Sequence, residues 1–105
     1  MTLNETQIVV IAEFVAKDGE EQQLIDNLFA LVEPTHQEGG CIRYELNQDL
    51  DRPQVITFIE KWHSRETLDQ HIAKPYIQNF FNGAGPRKPK HTESFTVTFH
   101  REFLH

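Results

Sequence analysis

Four stretches of the chain carry the apolar patterns of β-strands. Residues 8–15 and 55–62 are almost continuously apolar and rich in β-branched side chains, which predicts central strands covered on both faces. Residues 41–48 and 93–103 alternate between apolar and polar side chains, a pattern typical of strands with one exposed face. In residues 55–62 the alternation places Phe58, Glu60 and Trp62 on one face.

Two further stretches repeat their apolar residues at the spacing of helices. Asp18 is in position to cap a helix that runs to about Gln37, with Pro34 bending its last turn. Ser64 is predicted to cap the second helix, and Pro75 to open a short helix after a break. The apolar stripe of the first helix consists of Leu24, Ile25, Leu28, Phe29 and Val32.

The order of elements is therefore βαββαβ, with one broken helix. With right-handed crossovers this order predicts an α+β fold with a ferredoxin-like sheet, formed by residues 1–105 as a single domain. Helices would cover one face of the sheet. Because Val9, Ile11 and Val15 make the other face apolar as well, we expect a homodimer that packs sheet against sheet.

Composition narrows the classes of partner. The formal net charge of −6 argues against nucleic acid and against anionic membranes. Because residues 1–7 are polar, we expect no signal peptide, and the sequence contains no apolar stretch of the roughly 20 residues that a membrane span needs. Cys41 is the only cysteine and has no partner for an internal disulfide, so the cytoplasm is the expected compartment.

No strong catalytic motif is present in the sequence. The chain lacks a P-loop, a dinucleotide-binding glycine motif, a nucleophile elbow and a CxxC pair. None of the six histidines has the spacing of a metal site, so neither a metal nor a cofactor is expected. His71 is the best candidate for a general acid or base, although a helix histidine bonded to backbone or water has the same appearance.

Other chemically interesting residues also have two interpretations. Glu60 lies between apolar neighbours, so it must be paired or protonated if it is buried. Cys41 beside a Gly-Gly turn is interpreted as a small strand residue. The aromatic side chains Trp62, Tyr76, Phe80 and Phe81 could form part of the core or line a cavity, and the basic residues Arg87, Lys88 and Lys90 could attract an anion or only solubilise a loop.

The combination of these patterns resembles the antibiotic biosynthesis monooxygenase (ABM) superfamily, in particular its small bacterial quinol monooxygenase-like members. The resemblance spans nearly the whole chain and is specific for the fold. It rests on Gly40-Cys41, on RYEL at residues 43–46, on EKWHS at residues 60–64, on His71 nine residues after Trp62, and on Pro75-Tyr76.

The resemblance implies a dimeric α+β barrel with a pocket between sheet and helices in each protomer. Some members oxygenate polycyclic phenols or quinols with dioxygen and with neither metal nor flavin. By similarity, Phe14, Phe58 and Trp62 would line the pocket and His71 would face it. We therefore expect His71 to be catalytic, and the substrate-binding set to be Phe14, Tyr44, Phe58, Glu60, Trp62, Tyr76, Phe80, Phe81 and Arg87.

The sequence departs from two patterns of that superfamily. In oxygenase members the position of Phe58 can be an asparagine that polarises the substrate. In haem-degrading members Phe14 aligns with an asparagine and Phe81 with the haem-ligating histidine. Because none of these polar residues is present, haem degradation is disfavoured and oxygenase chemistry depends on His71.

Three functional hypotheses remain open from the sequence. The first is a cofactor-independent monooxygenase acting on a small aromatic, quinol- or anthrone-like substrate. The second is an isomerase of a small phosphorylated keto-sugar, because the loop of residues 85–90 resembles that of the isomerase that processes phosphorylated autoinducer-2, with Arg87 and Lys88 on the phosphate. The third is a non-catalytic dimer that binds a small molecule.

Overall fold

A four-stranded antiparallel sheet forms the centre of the protein. The structure is a computed structural model that describes residues 7–81 and 88–103. The strands are β1 (Ile8–Ala16), β2 (Cys41–Gln48), β3 (Val55–Trp62) and β4 (Thr92–Arg101), and their order in the sheet is β2-β3-β1-β4. This order confirms the ferredoxin-like α+β fold, with β1 and β3 central and β2 and β4 at the edges.

In the described residues four short helices accompany the sheet: α1 (Glu21–Phe29), α2 (Val32–His36), α3 (Arg65–Ile72) and α4 (Pro75–Phe80). The sequence prediction of a single first helix is wrong, because the helix is interrupted between Phe29 and Val32. Pro34 explains the place of the break. Its missing N–H and its ring disrupt the bond to the carbonyl of the residue four positions earlier, Ala30. Phe29, the last residue of α1, lies off the buried side of Leu24 and Leu28 and is 65% exposed, so its place in the predicted apolar stripe is wrong.

The helix starts agree only partly with the sequence. Ser64 caps α3 as expected, since its side chain accepts a hydrogen bond from the backbone N–H of Thr67, whose own side chain bonds back. Pro75 is the first residue of α4, also as expected. The predicted cap at Asp18 is wrong: the N-cap of α1 is Glu20, and it makes no side-chain capping bond.

The two faces of the sheet differ in burial. Val10, Ala12 and Phe14 of β1 lie opposite Glu60, Phe58 and Ile56 of β3, and all six are buried on the helix side. The opposite face carries the half-buried apolar residues Val9, Ile11, Val15 and Ile59. No helix in the described part of the chain is long and apolar enough to cross a membrane.

A close approach at Gly40 fixes the start of α3 against the beginning of β2. A Cβ atom at this position would lie 2.3 Å from Cβ of Thr67, the residue that completes the cap of α3. The Gly40 carbonyl also accepts a 3.0 Å hydrogen bond from the backbone N–H of His63. Glycine is therefore needed here for space, and α3 is held at a defined distance from the sheet.

Candidate functional site

A cavity of about 470 Å³ lies between the helix side of the sheet and the helices. Its wall is mostly apolar, and its polar members are Glu60, His71, Gln78 and the phenol of Tyr44. A volume of this size suits a small organic molecule. The apolar lining consists of Val10, Ala12, Phe14, Leu31, Phe58, Leu68, Ile72, Ile77, Phe80, Phe81, Phe95, Val97 and Phe99.

One end of the cavity is built from four phenylalanine rings. The ring of Phe14 on β1 lies 5.8 Å from that of Phe95 on β4 in a stacked arrangement, and 6.1 Å from that of Phe80 on α4 in an edge-on arrangement. Phe81 packs against the other three rings, at 5.0–6.3 Å between centroids. Such a wall offers both flat and edge contacts to a planar aromatic ligand.

His71 stands on α3 with its ring at the cavity and only 4% of the residue exposed. Its ring lies 4.5 Å from that of Trp62 and 5.5 Å from that of Tyr44. Its Nδ1 is 2.8 Å from Oε2 of Glu38, in the turn between α2 and β2. Because a carboxylate only accepts, Nδ1 carries the proton, and a neutral ring keeps Nε2 as the acceptor.

Glu38 also connects α4 to the same network. The phenol of Tyr76 on α4 donates a short hydrogen bond to the Oε2 that accepts from His71. Thr35 Oγ1, which is fully buried on α2, lies 3.1 Å from the phenol oxygen and therefore acts as its donor. The Glu38 carboxylate thus joins α3 to α4, and Thr35 of α2 holds the phenol that shares this carboxylate with the imidazole.

Burial keeps the His71 imidazole in its neutral form. Removal from water lowers the pKa of His71 below its ordinary value, while the hydrogen bond and charge of Glu38 act in the opposite direction and the charge of Lys74 lowers it further. A neutral imidazole with a fixed Nδ1 proton is a competent base at neutral pH.

Glu60 occupies the wall of the cavity from β3 and is 6% exposed. The indole Nε1–H of Trp62 donates a 3.0 Å hydrogen bond to its Oε1. Burial raises the pKa of Glu60 to about 7; the Trp62 hydrogen bond lowers it in part, and the negative charge of Glu38 raises it. Glu60 therefore keeps its proton in a large fraction of molecules at neutral pH.

The thiol of Cys41 and the phenol of Tyr44 keep their protons at neutral pH. Burial raises the pKa of the Cys41 thiol to about 11, with further increases from Glu38 and Glu60, so the reactive thiolate is scarce. Burial raises the pKa of Tyr44 well above its usual range. Neither group is set up as a nucleophile or a base at neutral pH.

The residues that the sequence proposed for the site fall into three groups. His71, Phe14, Tyr44, Phe58, Glu60, Phe80 and Phe81 lie at the cavity wall. Trp62 and Tyr76 lie behind that wall: Trp62 supports Glu60 and His71, and Tyr76 bonds to Glu38, so direct contact of either with a substrate stays a prediction. Arg87 lies outside the described residues.

Sequence reasoning missed Glu38 and Thr35. Both precede the Gly-Gly turn, where Glu38 is indistinguishable from an ordinary polar residue that ends a helix. Its bond to His71 joins positions that are 33 residues apart. No local pattern carries that signal, since the contact exists only after the helices have packed.

Nothing in residues 7–81 and 88–103 assembles a metal centre, because no group of three or more His, Cys, Asp or Glu side chains lies close enough together. Among these residues the closest approaches of acid and histidine are pairs, such as Glu38 with His71 and Glu20 with His91.

Comparison with known proteins agrees with this fold and identifies the family. The model of the family "Antibiotic biosynthesis monooxygenase" matches residues 7–83, which include all four helices and three of the strands. The chain belongs to this family of antibiotic biosynthesis monooxygenases.

Individual relatives support the assignment. The chain is 33% identical over 73 residues to "Putative monooxygenase Rv0793" of Mycobacterium tuberculosis, covering 70% of this chain and 71% of that protein. It is 32% identical over 73 residues to the protein sll1783 of Synechocystis, covering 70% of this chain but only 50% of the relative. Protein SO0527 from Shewanella oneidensis has a crystal structure that superposes with a TM-score of 0.86 at 40% identity, covering 96% of this chain and 95% of that one.

Proposed function

We propose that this protein is a cofactor-independent monooxygenase that oxidises a small aromatic substrate of the quinol or anthrone type with dioxygen. The observation that carries the proposal is a buried imidazole, oriented by Glu38, at the wall of an aromatic cavity of about 470 Å³. Membership of the family and the name of the Mycobacterium tuberculosis relative support the same reaction type.

In this mechanism Nε2 of His71 takes a proton from the bound substrate. The resulting anion is electron-rich enough to reduce dioxygen, so the protein's task is to bind, orient and deprotonate the substrate. For a quinol the overall change is quinol plus dioxygen to hydroxyquinone plus water. For an anthrone, the methylene becomes a carbonyl and the second oxygen atom leaves as water. Both equations balance without an external reductant.

Measurement of dissolved oxygen tests the proposal. With anthrone or a naphthoquinol as substrate, the protein should consume dioxygen faster than buffer does. His71→Ala should lower kcat by roughly 10²- to 10⁴-fold, as loss of a general base does. His63→Ala is the matched control, because His63 is exposed next to the same helix and should leave the rate unchanged.

Two outcomes would contradict this function. Unchanged oxygen uptake in His71→Ala would show that His71 is not the base. A ligand that raises Tm without any turnover would instead favour the non-catalytic binding protein.

The described wall of the cavity does not favour the phosphorylated-sugar isomerase. No lysine or arginine is among the described lining residues, whereas phosphate recognition relies on such cations. Lys88 is exposed and donates to the backbone carbonyl of Glu93. Strong loss of isomerase activity after neutralising Arg87 and Lys88, without oxygen uptake, would restore that alternative.

We also propose that the protein is a homodimer joined through the helix-free face of its sheet. In the single chain Val9, Ile11, Val15 and Ile59 remain half-buried on that face, and burying them against a second copy would be favourable at roughly 25 cal/mol per Å². Sedimentation at micromolar concentration should give twice the monomer mass, and a monomer would refute the proposal.

The free thiol of Cys41 fits a reducing compartment, and we propose the cytoplasm. Immunodetection in fractionated cells tests this assignment.

A further inference from the structure

The carboxyl group of Glu60 has no role in the mechanism above, yet it is one of the few polar groups at the cavity. β3 places it opposite Val10 of β1 and Tyr44 of β2, on the helix side of the sheet. A buried carboxyl group in this setting is costly unless it is protonated or paired. Within residues 7–81 and 88–103 it forms no ion pair with lysine, arginine or histidine.

The two oxygen atoms of Glu60 have different surroundings. Oε1 accepts the hydrogen bond of Trp62 Nε1–H at 3.0 Å, as the carbonyl oxygen of a neutral acid would. Oε2 has no described partner, and neither has Nε2 of His71. In the described part of the chain, Oε1 of Glu102 is the fully buried side-chain polar atom that has no hydrogen-bond partner. Oε2 of Glu60 and Nε2 of His71 are therefore not fully buried, and they open onto the cavity that both residues line.

Glu38, Glu60 and His71 therefore have distinct roles in proton transfer. Glu38 carries the charge that orients His71, and its negative charge discourages ionisation of Glu60. The neighbouring titratable groups, Tyr44 and Cys41, hold their own protons at neutral pH. Groups whose environments push their proton affinities apart in this way are the signature of an acid–base pair.

We propose that the cavity enolises carbonyl compounds, with the Glu60 carboxylic acid donating to the substrate's carbonyl oxygen while His71 takes the acidic C–H proton. This inference rests on the proposed function for the aromatic binding site and for His71 as the base, and it defines the substrate as an enolisable aromatic ketone. It adds Glu60 as the acid of a proton transfer that needs no dioxygen.

The proton transfers balance within the site. The C–H bond breaks and its proton moves to Nε2 of His71, while the electron pair forms the C=C bond of the enol. The carbonyl oxygen receives the hydrogen bond, or the proton, from Oε2 of Glu60. In the reverse direction His71 returns a proton to carbon, and in D₂O that proton is exchanged for deuterium.

The experiment uses anthrone as the probe in anaerobic D₂O at pH 7, with deuterium at its methylene carbon followed by mass spectrometry. The protein should accelerate incorporation over buffer, and His71→Ala should remove the acceleration. Glu60→Leu should lower the rate by roughly 10²- to 10³-fold, the typical effect of removing one donor to a developing oxyanion.

Glu60→Gln distinguishes the two protonation states of Glu60. A glutamine amide still accepts from Trp62 and still donates to a carbonyl, so this variant should keep the rate within roughly 10-fold of the native protein. If Glu60→Gln is as inactive as Glu60→Leu, the ionised carboxylate is the working form and the proposal is overturned. Glu66→Gln, an exposed acid on α3, controls for the change of charge.

Infrared spectroscopy supplies a readout independent of activity. The carbonyl stretch of a neutral carboxylic acid should be present at pH 6 in the native protein and absent from Glu60→Gln. Absence of that band in the native protein would also overturn the proposal.

The outcomes separate this inference from the proposed function. Deuterium exchange without aerobic oxygen uptake would refute the monooxygenase and leave the enolisation standing. Oxygen uptake together with an accelerated anaerobic exchange rate that Glu60→Leu leaves unchanged would refute the role of Glu60 and leave the monooxygenase standing.

Discussion

Glu38 orients the imidazole of His71 and so suits this histidine to the role of base in the proposed mechanism. We expect Glu38→Gln to lower kcat by roughly 10- to 100-fold with little change in KM, because supporting partners of a functional histidine have effects of that size. Since the Glu38 hydrogen bond and charge raise the pKa of His71, the acidic limb of the kcat/KM profile should also move to lower pH.

A pH–rate profile of the two proteins checks this prediction. Glu33→Gln, an exposed acid on α2, is the control and should behave like the native protein. A Glu38→Gln variant whose acidic limb stays in place would show that Glu38 does not act through His71.

The ionisation of Glu60 should change the free energy of unfolding of the protein as well as the chemistry of the cavity. Its pKa is raised from 4.5 to about 7 in the folded state, so the folded protein holds this proton more tightly than the unfolded chain. The contribution is fully present below about pH 4.5 and is lost as pH rises through about 7. At 1.36 kcal/mol per pKa unit, its upper limit is about 3 kcal/mol.

Urea unfolding of the native protein and of Glu60→Gln between pH 4.5 and 8 measures this contribution. His71 has the opposite sign, because its lowered pKa destabilises the fold as pH falls below 6.5. The difference between the two proteins isolates Glu60: the native protein should lose stability relative to the variant as pH rises. A difference that is constant across this range would mean that Glu60 titrates normally.

At the scale of single residues, the sequence alone predicted many of the residues at the cavity wall but not the hydrogen bonds that orient them. The period-two pattern of β3 predicted that Phe58, Glu60 and Trp62 share a face, because alternation in a strand is a local property. The bond between Glu38 and His71 was not predictable, since it depends on how a turn and a helix meet in space.

Among the elements, α3 matters most because it carries His71, and Gly40 sets its position. Gly40→Ala would place a methyl group 2.3 Å from Cβ of Thr67, and overpacking of this kind costs about 1–3 kcal/mol. We expect that loss in the free energy of unfolding, together with lower activity as α3 shifts.

Gly39→Ala is the matched control for this prediction. A Cβ at Gly39 would meet nothing within 4 Å, so the variant should be nearly neutral, or more stable by about 0.4–1 kcal/mol through reduced freedom of the unfolded chain. Equal effects of the two substitutions in urea unfolding would refute the steric explanation.

The elements themselves were predicted well where the pattern is local. All four strands, the Ser64 cap and the Pro75 helix start agree with the structure. The break between α1 and α2 was missed because Pro34 acts one turn upstream of its own position.

For the whole molecule, the apolar helix-free face predicts the effect of one charge on assembly. Ile11 and Ile59 are register partners at the middle of that face, so Ile11→Glu should convert the proposed dimer to a monomer in sedimentation. Leu50→Glu is the control, because Leu50 is 98% exposed in a loop and should leave the mass unchanged. A dimer that survives Ile11→Glu would place the interface elsewhere.

The topology was also predictable, since element order and right-handed crossovers leave few arrangements of a four-stranded sheet. The substrate was not, because an apolar wall constrains the size and flatness of a ligand but does not distinguish among aromatic molecules.

The hydrogen bond from Trp62 to Glu60 also gives the protein an optical reporter. Trp62 is the only tryptophan, so all indole fluorescence of the chain originates beneath the cavity, with the ring 4.5 Å from that of His71. Because the indole N–H bonds directly to Glu60, gain or loss of the carboxyl proton changes the electric field at the fluorophore. The emission of the unlabelled protein can therefore follow both the titration of Glu60 and the arrival of a ligand above it.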